Sequence, residues 1–429
     1  MMRNFILKGD IAYSENKDKI ETIEQGYLVC EEGICRGAFS QLPTEYGDFP
    51  VIDCGDNLII PGMTDLHTHA PQYACRGFAM DLELLEWLNT YTFPQEARYA
   101  DVEYAKRAYG KLVEDLRNSF TTRAVFFGTL HTEGTIALMD MLEVSGLVTF
   151  AGRVNMDRNG GQNLQEPSPQ AALEDTEKWL DAIDGRYERT KPILTPRFIP
   201  SCSDELMRGL GRLAEERGLR IQSHLSENPS EIQWVKELVP ASTSYANAYE
   251  IFGCMGTPEN PAIMAHCVYS DDTELEIMKA HGAFIAHCAD SNMNLSSGIA
   301  PAARFLESGV NMGLGSDIAG GTSLDMMAAM VSSIKASKMY WRLVDQDSPV
   351  LTFEQAFWLA TAGGGKYFGD VGTFKPGYEF DALVLDDSGV ESPAGLSVRD
   401  RLERLCYDSG KSRLVKKFAA GREIGLSSK

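Results

Sequence analysis

The sequence predicts an α/β chain: a (β/α)8 barrel of the TIM type joined to a small β-sandwich domain built from both chain termini. Two observations predict it. Through the middle of the chain, short apolar runs alternate with helix-length amphipathic segments, the pattern of repeated βα units. At both ends that alternation gives way to β-rich runs bounded by turn residues. A barrel needs about 250 residues, and the 429 present leave enough for an appended domain.

Phe5-Ile6-Leu7, Tyr27-Leu28-Val29-Cys30 and Val51-Ile52-Asp53 are the strands expected at the start of the chain. Barrel strands are expected at 58–66, 123–127, 148–154, 192–198, 219–224, 262–266, 283–287 and 310–315. Helical periodicity separates them, for example at 102–116, 203–217, 271–280 and 324–339. Strands that each lead into a helical stretch fit a closed barrel, although an open doubly wound sheet would alternate in the same way. The stretch 161–169 is the clearest loop inside the barrel. Towards the end, the turn pair Pro376-Gly377 precedes Phe380-Asp381-Ala382-Leu383-Val384-Leu385, and Leu414-Val415-Lys416-Lys417-Phe418 precedes Gly421. The domain reading is therefore residues 1–60 plus 371–429 for the small β domain and 61–370 for the barrel. No internal repeat or low-complexity tract interrupts it.

Composition removes several classes. Forty Lys+Arg against 61 Asp+Glu give a net charge of −21, and no basic run exceeds Lys416-Lys417, which argues against a nucleic-acid partner. With 44% hydrophobic and 24% charged residues the chain can bury a large core, so it is not disordered as a whole. The nine cysteines form no C-x-x-C pair, which fits thiols in a reducing compartment better than a disulfide framework. The start of the chain lacks the apolar stretch of a signal peptide, and no run approaches the ~18 apolar residues of a membrane span. A cytoplasmic protein with no membrane partner is expected.

The seven histidines carry the strongest chemical signal. His67 and His69 form an H-x-H at the end of the first barrel strand, and residues two apart on a strand face the same side. His224 and His266 end the predicted strands at 219–224 and 262–266, and Asp317 follows the strand at 310–315. In a barrel the C-terminal strand ends converge on one mouth, so these residues would meet as a mononuclear metal site. Taken singly, an H-x-H arises by chance, and a lone His266 or His287 reads as a hydrogen-bonded core residue. His281 reads as a complement to a helix end, and His131 fits either the mouth or a structural place. Glu227, three residues after His224, is placed to move protons into such a site; otherwise it is an acidic residue at the start of the helix after Pro229.

Other motifs fail. Gly313-Leu314-Gly315 lacks the third glycine of a dinucleotide loop, Gly365-Lys366 lacks the rest of a phosphate loop, and no G-x-S-x-G occurs. His131-Thr132-Glu133 has no P-C-x-x-C to complete a cytidine-deaminase zinc signature.

The assembled pattern resembles the amidohydrolase superfamily and, within it, the guanine deaminase family. The resemblance rests on Pro61-Gly62-Met63-Thr64-Asp65-Leu66-His67-Thr68-His69-Ala70-Pro71-Gln72-Tyr73 and on Leu84-Leu85-Glu86-Trp87-Leu88-Asn89-Thr90-Tyr91-Thr92-Phe93-Pro94. Further matches are Thr195-Pro196-Arg197-Phe198, Gln222-Ser223-His224-Leu225-Ser226-Glu227-Asn228, Met264-Ala265-His266-Cys267 and Gly315-Ser316-Asp317. Together they cover most of residues 5–385. The resemblance implies one zinc ion on His67, His69, His224 and Asp317, ferrous iron also suiting these donors. It implies Glu227 as proton shuttle, His266 as hydrogen-bond partner of the reacting oxygen, and Gln72 and Arg197 as purine-recognising residues. Phe198 is counted with them as substrate-binding.

The implied reaction is hydrolytic deamination of guanine to xanthine and ammonia. Water activated by the ion, with Asp317 taking its proton, adds at C2 while Glu227 protonates a ring nitrogen and then the leaving amine. Arg197 suits the O6 carbonyl and Gln72 can donate and accept at once, so adenine should be rejected. Without the resemblance, Arg197 would read as a surface ion pair and Gln72 as a cap on local backbone. One departure stands out: where the family usually shows His-Cys-Pro, this chain has His287-Cys288-Ala289-Asp290-Ser291-Asn292. The lost proline is expected to loosen that loop and Asp290 to add a carboxylate near the mouth. Residues 407–413 match the family's C-terminal signature only loosely. The alternatives are an aminohydrolase or chlorohydrolase for another nitrogen heterocycle (a pyrimidine, a triazine or another purine), and an inactive scaffold, although no metal ligand is missing. A small-molecule substrate and a homodimer are the expected partners.

Overall fold

The computed structural model describes residues 4–161, 163–391 and 393–426, so Met1 to Arg3 and, in the 161–169 loop, Gln162 lie outside the described residues. The chain opens with β1 (Phe5–Asn16), β2 (Lys19–Glu31), β3 (Ile34–Phe39) and β4 (Val51–Pro61). These run much longer than the apolar cores read from sequence, because sheet pairing carries polar residues such as Lys8, Asp10 and Ser14 along with their apolar neighbours. The β1–β2 turn is closed by Asn16, whose side chain accepts from the Asp18 N–H at 3.0 Å.

From residue 63 the strands belong to parallel sheets. They are β5 (Met63–His69), β6 (Thr121–Phe127), β7 (Val148–Gly152), β8 (Val154–Asn155), β9 (Thr190–Pro192) and β10 (Thr195–Pro196). Then follow β11 (Gln222–Leu225), β12 (Ile263–His266), β13 (Phe284–His287) and β14 (Asn311–Leu314). One parallel sheet has the order β5-β6-β7-β9, a second β11-β12-β13-β14, and β8 pairs with β10. The Leu194–Ile221 bridge joins the sheets along one edge. At the other, Asp317, just past β14, donates its N–H to the His67 carbonyl of β5 at 2.8 Å.

The chain returns through β15 (Ala382–Asp386), β16 (Arg413–Ala419) and β17 (Arg422–Glu423). With the N-terminal strands these form one sheet of order β17-β16-β15-β4-β1-β2-β3. Phe5, Phe380 and Phe418 fill its core, with Phe5 5.3 Å and 5.0 Å from the other two ring centroids.

Three sequence-derived strands divide, 148–154 among them, which breaks at Arg153 between β7 and β8. The run 58–66 crosses from β4 to β5 at Gly62, where a Cβ would sit 2.2 Å from Thr122 Oγ1. The run 192–198 breaks between β9 and β10. The expected helices form as Val102–Arg117, Asp204–Arg217, Asp272–Ala280 and Met326–Leu343. Ser203 and Asp271, read as first helical residues, are N-caps whose side chains accept from Leu206 and Glu274 N–H groups.

Two buried polar contacts fasten the terminal sheet to the parallel strands. Arg123 of β6 holds Asp381 through Nε at 2.8 Å and Nη2 at 2.9 Å, and reaches Glu379 at 2.6 Å. Lys417 of β16 donates to the carbonyls of Leu116, in the last turn of helix Val102–Arg117, and Ser119, just past it, at 2.8 Å and 3.0 Å. No helix among the described residues is long and apolar enough to cross a membrane.

Candidate active site

The C-terminal ends of β5, β11 and β12 and the segment after β14 bring His67, His69, His224, His266 and Asp317 together. Strand alternation aims His67 and His69 to one side of β5. The turns that follow use unusual backbone: Ser226, His266, Cys267 and Asp317 all have positive φ, at 47°, 73°, 52° and 45°. Such conformations are unfavourable by about 1–3 kcal/mol each and cluster where a site needs side chains aimed.

His67 Nε2 lies 3.2 Å and His69 Nε2 3.6 Å from Asp317 Oδ1, and His69 Nε2 lies 3.1 Å from His224 Nε2. His224 is oriented from behind, its Nδ1–H donating to the Arg197 carbonyl at 2.6 Å, which leaves a lone pair on Nε2. Two ligand groups emerge, His67-His69-His224 and His67-His266-Asp317, with donor atoms within 4.8 Å of one another. Burial, and then the neighbouring imidazoles, pushes His67, His69 and His224 well below the usual range, so they are neutral at pH 7. Both ring nitrogens of the fully buried His67 lack a hydrogen-bond partner, although Nε2 is close to Asp317. A ring that approaches a carboxylate without hydrogen-bond geometry fits two ligands converging on one cation. Three imidazole nitrogens and a carboxylate oxygen are a donor set that suits zinc.

A small cavity opens beside this cluster, lined by His69, His224, His266 and Asp317 and by Gln72, Arg197, Phe198 and Glu227. Glu227 is buried, with Oε1 accepting from Ser297 Oγ at 2.8 Å and Oε2 3.4 Å from His266 Nε2. Burial, followed by the charge of Asp317, raises its carboxyl to about 8. His266 Nδ1 lies 2.8 Å from Asn292 Oδ1. Burial raises the Asp317 carboxyl, with His266 pulling the other way.

Gln72 and Arg197 share a partner that sequence reasoning missed. Glu96, 2% exposed, accepts from Arg197 Nη1 at 2.6 Å, from Arg197 Nη2 at 3.0 Å and from Gln72 Nε2 at 2.9 Å. Gln72 Oε1 accepts the Ala319 N–H at 3.2 Å. Arg197 is thus in a buried ion pair, not the surface one its sequence alone would suggest. Also missed were Asn292, Ser297 and Glu231, the last lining the cavity with its Oε1 on the Tyr245 hydroxyl at 2.7 Å. Leu84, Trp87 and Leu88 roof the cavity from a segment that the motif comparison quoted without a role. No local pattern marks Glu96; only its position after Phe93-Pro94 ties it to that segment.

The remaining expectations resolve as follows. Asp290 does not line the cavity: its carboxylate accepts from the Thr322 N–H at 2.8 Å and Oγ1 at 2.6 Å, pinning the loop after Asp317. The loop without proline becomes helix Ala289–Asn294. His131 is the N-cap residue of helix Thr132–Ser145 and is absent from the cavity lining. His287 is buried off the lining, and burial drives its imidazole down to about 4. His281 does end a helix, but its ring bonds the Gly256 carbonyl at 2.8 Å rather than that helix's last turn.

The model of the Amidohydrolase family matches residues 58–422. The chain is 34% identical over 447 residues to guanine deaminase of Dictyostelium discoideum, covering 98% of each. A solved guanine deaminase from C. acetobutylicum with bound guanine superposes with a TM-score of 0.94 at 42% identity, covering 98% of this chain and 100% of that one. An adenosine deaminase from Xanthomonas campestris with bound zinc superposes at 0.81 with 19% identity, covering 98% and 92%, a likeness that speaks for the fold alone.

Proposed function

The chain belongs to the amidohydrolase family, and from that membership, its guanine deaminase relatives and the cavity we infer that it hydrolyses guanine to xanthine and ammonia. The observation that carries the reading is one cavity holding the His–Asp cluster, a buried proton-bearing Glu227, and a wall where Arg197 and Gln72 stand together. We read the two parallel sheets as one closed TIM-type barrel and the terminal strands as a sandwich domain spanning 1–60 plus 371–429, with 61–370 as the barrel.

His67, His69, His224 and Asp317 would hold one metal ion. Zinc, when bound there, supplies the Lewis acidity that makes water a nucleophile at neutral pH. Arg197 donates to guanine O6, while Gln72, able to donate and accept, completes that edge. Phe198, Leu84, Trp87 and Leu88 exclude bulk water from the base. Asp317 accepts the proton of the attacking water. Glu227, which keeps its proton at neutral pH, passes it to the ring nitrogen beside C2; it then takes the proton held by Asp317 and gives it to the departing amine, and the hydroxyl proton left at C2 returns to Glu227 as the carbonyl forms. His266 meets the oxygen that develops charge at C2.

The nine cysteines are all free thiols, which suits a reducing compartment such as the cytoplasm. A homodimer is the proposed assembly, with the exposed Trp341, Leu343 and Val344 as apolar surface available to it; light scattering on purified protein decides it. Purified protein supplied with zinc should release ammonia from guanine and form xanthine. Metal-loaded protein that yields neither overturns the assignment.

A further inference from the structure

Glu96 is the residue that joins the two purine-reading side chains, and its geometry dictates what each presents to the cavity. A carboxylate only accepts, so the nitrogen end of the Gln72 amide must face it; the Ala319 N–H at the other end requires the oxygen there. The two contacts agree, and the amide cannot turn over. Arg197 has five N–H donors; two go to Glu96 in a bidentate pair, and its guanidinium carbon also sits 4.9 Å from the Phe93 ring centroid. The rotamer of Arg197 is therefore set from behind as well as beside. Arg197, Glu96 and Gln72 are 3%, 2% and 2% exposed, so the three are buried together.

We propose that Glu96 is a positioning residue for substrate selection: by holding both Arg197 and Gln72, it sets the enzyme's preference for a purine carrying an oxo group at C6. It touches no reacting atom. Without it, Arg197 would be a buried cation free to swing, and Gln72 would be held by the Ala319 N–H alone. The loss should then fall on recognition of the carbonyl edge, not on the chemistry at C2. This inference rests on the proposed guanine reaction.

The test compares guanine with 2-aminopurine, which keeps the C2 amino group and lacks O6. The measurements are kcat and KM for both purines, with metal content on the same samples, in wild type, Glu96→Gln and Glu96→Asp. Glu96→Gln keeps the shape and removes the charge; Glu96→Asp keeps the charge that folding needs and withdraws it by one methylene. The guanine to 2-aminopurine ratio of kcat/KM should fall at least ~10-fold in Glu96→Gln and ~3-fold in Glu96→Asp, mostly through KM for guanine, at unchanged metal content. In an Arg197→Gln background, adding Glu96→Gln should lower the ratio by less than half as much as it does in wild type, because only Gln72 is left to position. Should Glu96→Gln alone not fold, Glu96→Asp and the double variant supply the ratios. A wild-type ratio in the variants that fold, or equal losses on both purines, overturns the role of Glu96 while leaving the guanine assignment standing. Wild-type protein that deaminates neither purine overturns both.

Discussion

Nε2 of His266 stands 3.4 Å from Oε2 of Glu227 in a place where neither side chain meets solvent. Against Asn292 Oδ1 the neutral His266 ring carries its hydrogen on Nδ1, which leaves Nε2 a lone pair. Glu227 holds a proton up to about pH 8. One proton therefore serves the pair. It rests on Glu227, because burial lowers the His266 imidazole while it raises the carboxyl.

Glu227→Gln removes the transferable proton and keeps the volume. Turnover of guanine should drop by about 10²–10⁴-fold, the range of general acid–base catalysis. Metal analysis of the variant should match wild type, since Glu227 is outside both ligand groups. Near-normal kcat would remove Glu227 from the proton path.

The pH profile has a definite sign. Burial raises the Glu227 carboxyl, so its acid form prevails at neutral pH and is lost as pH climbs through about 8. Because the reaction needs that acid, kcat should fall on the alkaline side near pH 8. Ser297 Oγ donates to Oε1 and so favours the charged form. Ser297→Ala should therefore move the alkaline limb to higher pH. A limb that stays put, or moves down, contradicts the assignment.

Removing metal with a chelator should abolish activity and lower Tm, since the neutral imidazoles and Asp317 lose their common partner. Adding zinc back at 100 times its Kd should return about 2.7 kcal/mol of stability by mass action. Calorimetry across a zinc titration checks this, and a Tm indifferent to zinc would count against the His67-His69-His224-Asp317 site.

Arg197→Ala leaves Glu96 buried without its cation. Stability should fall by about 3–5 kcal/mol, and kcat/KM for guanine by at least ~100-fold, with metal retained. Unchanged kinetics would take Arg197 out of recognition.

Asp381→Ala opens the joint between the terminal sheet and β6. It strips the buried Arg123 of its bidentate partner, leaving only Glu379. The Tm should drop by the equivalent of about 3 kcal/mol, while kcat per folded molecule stays within about twofold. A denaturation series paired with activity at low temperature separates the two effects.

The sequence by itself determined the alternation of strand and helix, because the 2- and 3.6-residue periods are properties of the local chain. It also marked the candidate metal donors, since His67-Thr68-His69 and a histidine or aspartate at strand ends can be read one element at a time. What it could not determine was anything requiring two distant segments to be placed at once. Glu96 is an unremarkable acid after Pro94 until the fold lays it against Arg197, a hundred residues on. Asp290 does put a carboxylate near the mouth, where its charge bears on Asp317, but only the fold shows that Thr322 is what it holds. The strand that seemed to run through 58–66 divides because Gly62 must pass Thr122. The physical reason is common to all three. Periodicity and residue type report on the chain's own neighbours, whereas the partner of a buried charge, and the side chain a glycine must clear, are decided only when the elements pack.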